Sequence, residues 1–367
     1  MEIGNRGRRW GRSATWQWGA AVCLGAGVAG AAAQALPDCV HEDDDARRLA
    51  CYDRLFRAAG AAVPAVPAAS APAPGTALAP VTPPAAAASE TAPVATVFDK
   101  AWELSPATKR GTFVVRTYLP NFVLPLHTSS SINRSPASPT RGTVTDRPAY
   151  RASEAKLQVS LRAKVAQGLV LPDADLWFAF TQRSLWQVWT PSESSPFRST
   201  DYQPEAIYVV PVPASLGTLG AGWRWRMAQL GIAHQSNGQG GALSRSWNRV
   251  HATAAFDRGE FGLLLRAYRR IGEKTNDDNP DMASFIGNTE VIASWLPGLS
   301  TASLTWRTHA ATGRRGSLQL DWTYPVSRSQ PAGLRWYAQL FSGYGETLLD
   351  YNHRQTSVGV GLTLFQF

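Results

Sequence analysis

The sequence predicts an all-β fold, an antiparallel transmembrane β-barrel, and three observations predict it. Apolar and polar residues alternate with period two in several segments of the C-terminal part of the chain. No run of about 18 apolar residues occurs outside the N-terminus, so a helical membrane span is not expected there. The chain starts with the pattern of an export signal and ends on an aromatic residue, Phe367, as terminal strands of bacterial outer-membrane barrels usually do.

The N-terminal elements come first. Arg6, Arg8, Arg9 and Arg12 form a basic region, a small-residue apolar stretch runs from about Gly19 to Ala33, and Ala33-Gln34-Ala35 offers a cleavage site. Residues 1–35 therefore read as a signal peptide. Residues 36–57 form a small periplasmic segment bracketed by Cys39 and Cys51, two thiols that favour a disulfide in an exported protein. Residues 58–96 are almost entirely Ala, Pro, Ser, Thr and Val, a composition that cannot bury a core and reads as an extended linker. Residues 97–367 are the barrel domain.

Within that domain the alternation is explicit. Phe261, Leu263, Leu265 and Ala267 oppose Gly262, Leu264 and Arg266. Leu318, Leu320, Trp322 and Tyr324 oppose Ser317, Gln319, Asp321 and Thr323. Leu334, Trp336, Ala338 and Leu340 oppose Arg335, Tyr337 and Gln339, and Val358, Val360, Leu362 and Leu364 oppose Gly359, Gly361 and Thr363. A soluble sandwich also alternates, but it turns its apolar face inward and usually charges the other. Here the polar faces are mostly small or uncharged, only 17% of all residues are charged, and the apolar face ends repeatedly in Trp or Tyr, as an interfacial girdle requires.

The formal charge is +9, and removing residues 1–35 leaves +6. An exported basic chain could meet anionic lipid head groups and seldom meets nucleic acid, but the charge alone decides nothing.

The chemistry concentrates in Gly231–Arg249, GIAHQSNGQGGALSRSWNR. In a strand, residues i and i+2 share a face, so His234 and Ser236 line up with Leu230 and Ile232 on the apolar, lipid-facing side. Positions 234 and 248 are symmetric about Gly241. A regular hairpin then makes His234 and Asn248 cross-strand neighbours, roughly 5 Å apart at Cβ. Asn248 could fix the His234 tautomer while the other ring nitrogen faces Ser236, and Gly238 could offer an unobstructed N–H to an oxyanion. Polar groups on a lipid face cost least near the interface, so the site belongs near the outer rim.

HQSNG followed by SRSWNR resembles the active-site signature of the outer-membrane phospholipase A family. FTQRSLWQ at Phe180–Gln187, SSPFR at Ser194–Arg198, TNDDNPD at Thr275–Asp281 and SGYGETLLDYN at Ser342–Asn352 are similar to it too, so that the likeness spans Lys156 to Phe367. It implies a twelve-stranded outer-membrane barrel, active as a calcium-dependent homodimer on acyl esters of phospholipids and lysophospholipids. It implies Ser236 as nucleophile, His234 as base and Asn248 as orienting group. It implies Ca²⁺ held by the Ser244 hydroxyl, the Gln239 carbonyl and the Ser194 carbonyl of the partner subunit, and Gln182 at the dimer interface. The family's loop after HQSNG carries an Arg and an acid, where this chain has Gln239-Gly240-Gly241-Ala242. That puts a second calcium site supported by Asp278 in doubt, and the cluster Asp277, Asp278 and Asp281 reads as a solvated loop. The competing reading is a non-catalytic pore or scaffold barrel, with Arg249, Arg266, Gln319 and Arg335 lining a passage.

Overall fold

The computed structural model describes residues 44, 46–47, 49–50, 96–273 and 277–364. The expected signal peptide, most of the expected Cys-bracketed segment with Cys39 and Cys51, the expected linker up to residue 95, and Phe367 lie outside the described residues. The chain divides into two compact units, 1–88 and 89–367. In the first, Ala46, Arg47, Leu49 and Ala50 are helical, and the Arg47 N–H donates to Asp44 Oδ1 at 3.0 Å.

The second unit opens with helix α1 (Val97–Trp102), capped by Thr96, whose hydroxyl accepts from the Asp99 N–H. The strands follow in chain order: β1 (Val115–Thr117), β2 (Phe122–Ser129), β3 (Ala137–Ser138), β4 (Gly142–Thr143), β5 (Ser153–Gln167), β6 (Asp175–Trp186), β7 (Phe197–Pro211), β8 (Arg224–Ser236), β9 (Ser246–Arg258), β10 (Phe261–Ile271), β11 (Thr289–Trp295), β12 (Thr301–Thr308), β13 (Gly316–Pro325), β14 (Leu334–Gly343) and β15 (Gln355–Leu364). Two further short helices are α2 (Ala214–Gly217) and α3 (Met282–Ile286).

Each strand from β5 to β15 pairs antiparallel with the next, and β2 joins β15 to β5. The ring closes as a twelve-stranded barrel in which each of the twelve strands is paired on both sides, as lipid requires. Short β1 extends the β2 side along the far half of β5, and Pro120 lies in the break between them. Pro125 stands within β2 and has no N–H to give the ladder. The register shifts beside it, between Leu124 and His127 and between Val360 and Leu362 on β15. Gly361 makes that bulge possible, since a Cβ there would sit 2.1 Å from the Val123 carbonyl oxygen.

The two faces are inverted relative to a soluble protein. Val159, Leu161, Phe178, Phe180, Leu230, Ile232, Leu304, Leu320, Trp336 and Val360 point out and are exposed. Glu154, Lys156, Gln158, Ser160, Arg162 and Lys164 of β5 point in and are buried. Buried charges in the lumen are paired. Arg198 bridges Glu154 at 2.9 Å and Asp350 at 3.0 Å, Glu290 takes Arg307 at 2.7 Å and Arg266 at 3.1 Å, and Lys156 reaches Glu346 at 2.7 Å.

Helix α1 falls within the expected barrel domain, but strand alternation does not predict a helix there. Trp102 packs edge-on against Trp177 and Tyr118, under the Arg162 guanidinium at 3.9 Å. Glu103 pairs with Lys164 and Arg116, both at 2.9 Å. The ends of the barrel differ as well. At one end the connections are 168–174, 212–223, 259–260, 296–300 and 326–333. At the other, 130–152, 187–196, 237–245, 272–288, 309–315 and 344–354 include the longest, as on the extracellular side of such barrels.

Candidate active site

The β8–β9 hairpin ends on the long-loop side. Its register pairs His234 with Asn248 and Ser236 with Ser246, as the symmetry about Gly241 requires. His234 is exposed and Ser236 and Asn248 are half-buried, next to the outward Ile232 and Val250. The site is therefore on the outside of the barrel, at the rim.

Asn248 Oδ1 lies 2.8 Å from His234 Nδ1. Its Nδ2 donates to Glu273 Oε1, also at 2.8 Å, which fixes which end of the amide faces the ring. A neutral imidazole facing that oxygen gives Nδ1–H to the amide and keeps its lone pair on Nε2. Ser236 shares the His234 face at i+2, and no hydrogen bond joins its hydroxyl to the ring among the described residues. Such contacts are often long without substrate.

Asn237 builds the turn. Its N–H donates to the Arg245 carbonyl at 3.0 Å, its Oδ1 accepts from the Arg245 N–H at 3.0 Å, and its Nδ2 donates to the Leu243 carbonyl at 2.8 Å. Gly238 follows with φ +64°, a left-handed conformation that glycine adopts without strain, and a Cβ there would meet Tyr202 Cε2 at 3.2 Å. A one-turn 3₁₀ helix, Gly241–Leu243, completes the loop. Asn279 ties the loop to its neighbour, accepting from the Ser246 N–H at 3.0 Å and donating to the Ser246 carbonyl at 2.9 Å.

The acidic cluster is not a solvated loop, and that expectation is corrected. Asp278 is buried: it pairs with Arg141 and accepts from the Ser244 hydroxyl at 2.5 Å. Asp277 pairs with Arg270 at 2.5 Å, and Asp281 accepts from Tyr351 at 2.7 Å. Burial, then the Asp281 hydrogen bond, push the Tyr351 phenol well above its ordinary range. Ser244 and Asp278 are thus together, with an arginine at the carboxylate.

Of the remaining expected residues, Gln239 shares the 237–245 turn with Ser244, whereas Ser194 lies in the 187–196 connection and Gln182 in β6. The Gln239 and Ser194 carbonyls accept no hydrogen bond among the described residues. Ser194 (φ 57°) and Ser195 (φ 46°) are both left-handed, a strained pair for non-glycine residues. Gln182 pairs in register with the exposed Val159 and Tyr202, so it points outward into an apolar field and not into the lumen. Among the described residues there is no group of three or more His, Cys, Asp and Glu that could hold a metal.

Sequence reasoning missed Asn237, Asn279 and Glu273. The signal for Glu273 was available: it stands two residues beyond Ile271, the register partner of Asn248, and therefore continues the outward face of β10.

The family model of phospholipase A1 matches residues 98–364. The putative phospholipase A1 of Neisseria meningitidis serogroup B is 38% identical over 285 residues, 76% of this chain and 72% of that one. The phospholipase A1 of Escherichia coli is 34% identical over 58% of this chain and 70% of its own. Among solved structures, outer membrane phospholipase A from Escherichia coli superposes with TM-score 0.60 at 30% identity, over 68% of this chain and 94% of the other. The Salmonella typhi outer membrane phospholipase dimer with bound calcium gives 0.62 at 30%, over 70% and 94%. The chain belongs to the phospholipase A1 family and is an outer-membrane β-barrel enzyme that hydrolyses phospholipids.

Proposed function

We propose that the chain is a calcium-dependent serine hydrolase, active as a homodimer, that cleaves acyl esters of phospholipids and lysophospholipids through Ser236, His234 and Asn248. The observation that carries this reading is the 2.8 Å contact between His234 Nδ1 and Asn248 Oδ1, on the outward face that also bears Ser236. Nε2 of His234 takes the Ser236 proton as Oγ attacks the ester carbonyl, Asn248 accepts from Nδ1–H throughout, and the Gly238 N–H receives the oxyanion. The alcohol leaves with the proton from Nε2. Water, deprotonated by the same nitrogen, then releases the fatty acid and restores Ser236.

Calcium fits the oxygen donors here. The Ser244 hydroxyl and the Gln239 carbonyl sit on one turn, the Ser194 carbonyl of the partner subunit would complete the set, and Ca²⁺ favours such ligands. Bound there, it would supply Lewis-acid polarisation of the substrate carbonyl. The Asp278 carboxylate is matched by Arg141, and with Gly241 at the loop the acid for a second site is missing; a single site per active centre is the reading we favour. The outward Gln182 in its apolar surround suits an amide at a homodimer interface.

The test is fatty-acid release from diacyl and lyso substrates by the purified protein in detergent. Release should require calcium, rise with the cross-linked dimer fraction, and vanish in Ser236→Ala. Undiminished release by Ser236→Ala, or with chelator present, would overturn the reading.

A further inference from the structure

The triad has a fourth member behind it. Strand β10 ends at Ile271, opposite Asn248, and Gly272–Glu273 continues along β9 until Glu273 stands beside Ser246. Its carboxylate is held at both oxygens. Oε1 accepts from Asn248 Nδ2 at 2.8 Å, and Oε2 accepts from the Ser246 hydroxyl at 3.2 Å. Among the described residues no Lys, Arg or His lies within ion-pair distance of it. Glu273 is half-buried, so water screens it only in part.

From this geometry we infer that Glu273 is a positioning residue of the hydrolase, acting through Asn248. The inference rests on the Ser236–His234–Asn248 reading. An asparagine is neutral and can present either end of its amide to a histidine. Presenting the NH₂ end would put two donors face to face or force the wrong imidazole tautomer. Glu273, as an anion, accepts only, so it binds the NH₂ end and leaves Oδ1 for His234. The same hydrogen bond, running from the carboxylate through the amide to Nδ1–H, polarises Oδ1 toward the ring. When Nε2 takes the serine proton, the resulting imidazolium faces an amide backed by a negative charge. The hairpin thereby combines a neutral orienting group at the lipid interface with a charge one residue farther away, at the loop, where desolvating it costs less.

The Glu273 carboxylate touches neither substrate nor reacting atoms, so its signature is in turnover. Glu273→Gln keeps the size but can turn its own NH₂ toward Asn248, and Glu273→Ala removes both bonds. Each should lower kcat by about ten- to hundredfold, the range for one charge-assisted hydrogen bond, with KM changed less than about twofold.

The decisive arm is a double-variant cycle with Asn248→Asp. Alone, that substitution puts two carboxylates in hydrogen-bond contact, and activity should fall strongly. With Glu273→Gln added, the new amide can donate to the new carboxylate, which then orients His234 directly, and kcat should rise at least about tenfold above Asn248→Asp alone. Heat-modifiable gel mobility reports folding of each variant. If Glu273→Ala does not fold, the isosteric Glu273→Gln and the cycle decide. Wild-type kcat in Glu273→Gln together with no recovery in the double variant would overturn the inference, while loss of activity in Ser236→Ala kept the triad intact. Activity remaining in Ser236→Ala would instead fail the triad itself.

Discussion

The lumen and the outer face of the β8–β9 rim use polar residues in opposite ways. In the lumen, charges are buried and largely matched: Glu290 between Arg266 and Arg307, Arg198 between Glu154 and Asp350, Lys156 on Glu346. On the outer face, polar groups are few and sit among Leu230, Ile232 and Val250, with His234 exposed and the Ser236 hydroxyl without a hydrogen bond among the described residues. The lesson is that polarity is structural where it fills the lumen and chemical where it stands on the outer rim. Removing a lumen group should cost stability, and removing a rim group should cost turnover.

The largest expected separation comes from Ser236→Ala. It should lose at least about 10³-fold in kcat, with the unfolding midpoint in urea unchanged. Next, Arg198→Met leaves Glu154 and Asp350 buried without their cation, and refolding into vesicles should show a loss of about 3–5 kcal/mol. Specific activity of its folded fraction should stay near wild type. Third, Leu320→Arg against Gln319→Arg compares neighbouring positions of β13 on opposite faces. Leu320 lies between the exposed Leu304 and Leu340, so its arginine should cost about 2–4 kcal/mol at mid-bilayer. Gln319 already donates to Asp321, and an arginine there should be tolerated better. The smallest effect belongs to Gly238→Ala. A positive φ and a Tyr202 ring 3.2 Å from the new Cβ should cost about 1 kcal/mol and reduce kcat modestly. A lumen variant that destroys turnover without unfolding would break the comparison.

Much of this was legible in the chain. The alternation at 261–267, 317–324, 334–340 and 358–364 falls within β10, β13, β14 and β15, and the apolar sets do face outward. The pairing of His234 with Asn248 followed from counting across the glycine turn. Three things were not legible, each for a physical reason. Helix α1 is too short to show helical periodicity and is held by Arg162, Lys164 and Trp177 from strands that follow it. The acidic cluster looked solvated because its cations, Arg141 and Arg270, belong to other segments. Glu273 was passed over because it lies beyond the last apolar residue of β10, where alternation stops signalling a face.

The central claim is that the nucleophile of this hydrolase is on the outside of the barrel, at Ser236. The most direct measurement is covalent labelling of the purified protein by a sulfonyl fluoride, with calcium or chelator, followed by peptide mass mapping. The account predicts one adduct, on Ser236, formed with calcium and in step with the loss of fatty-acid release. Inactivation with the adduct elsewhere, or full hydrolysis with Ser236 blocked, would contradict it.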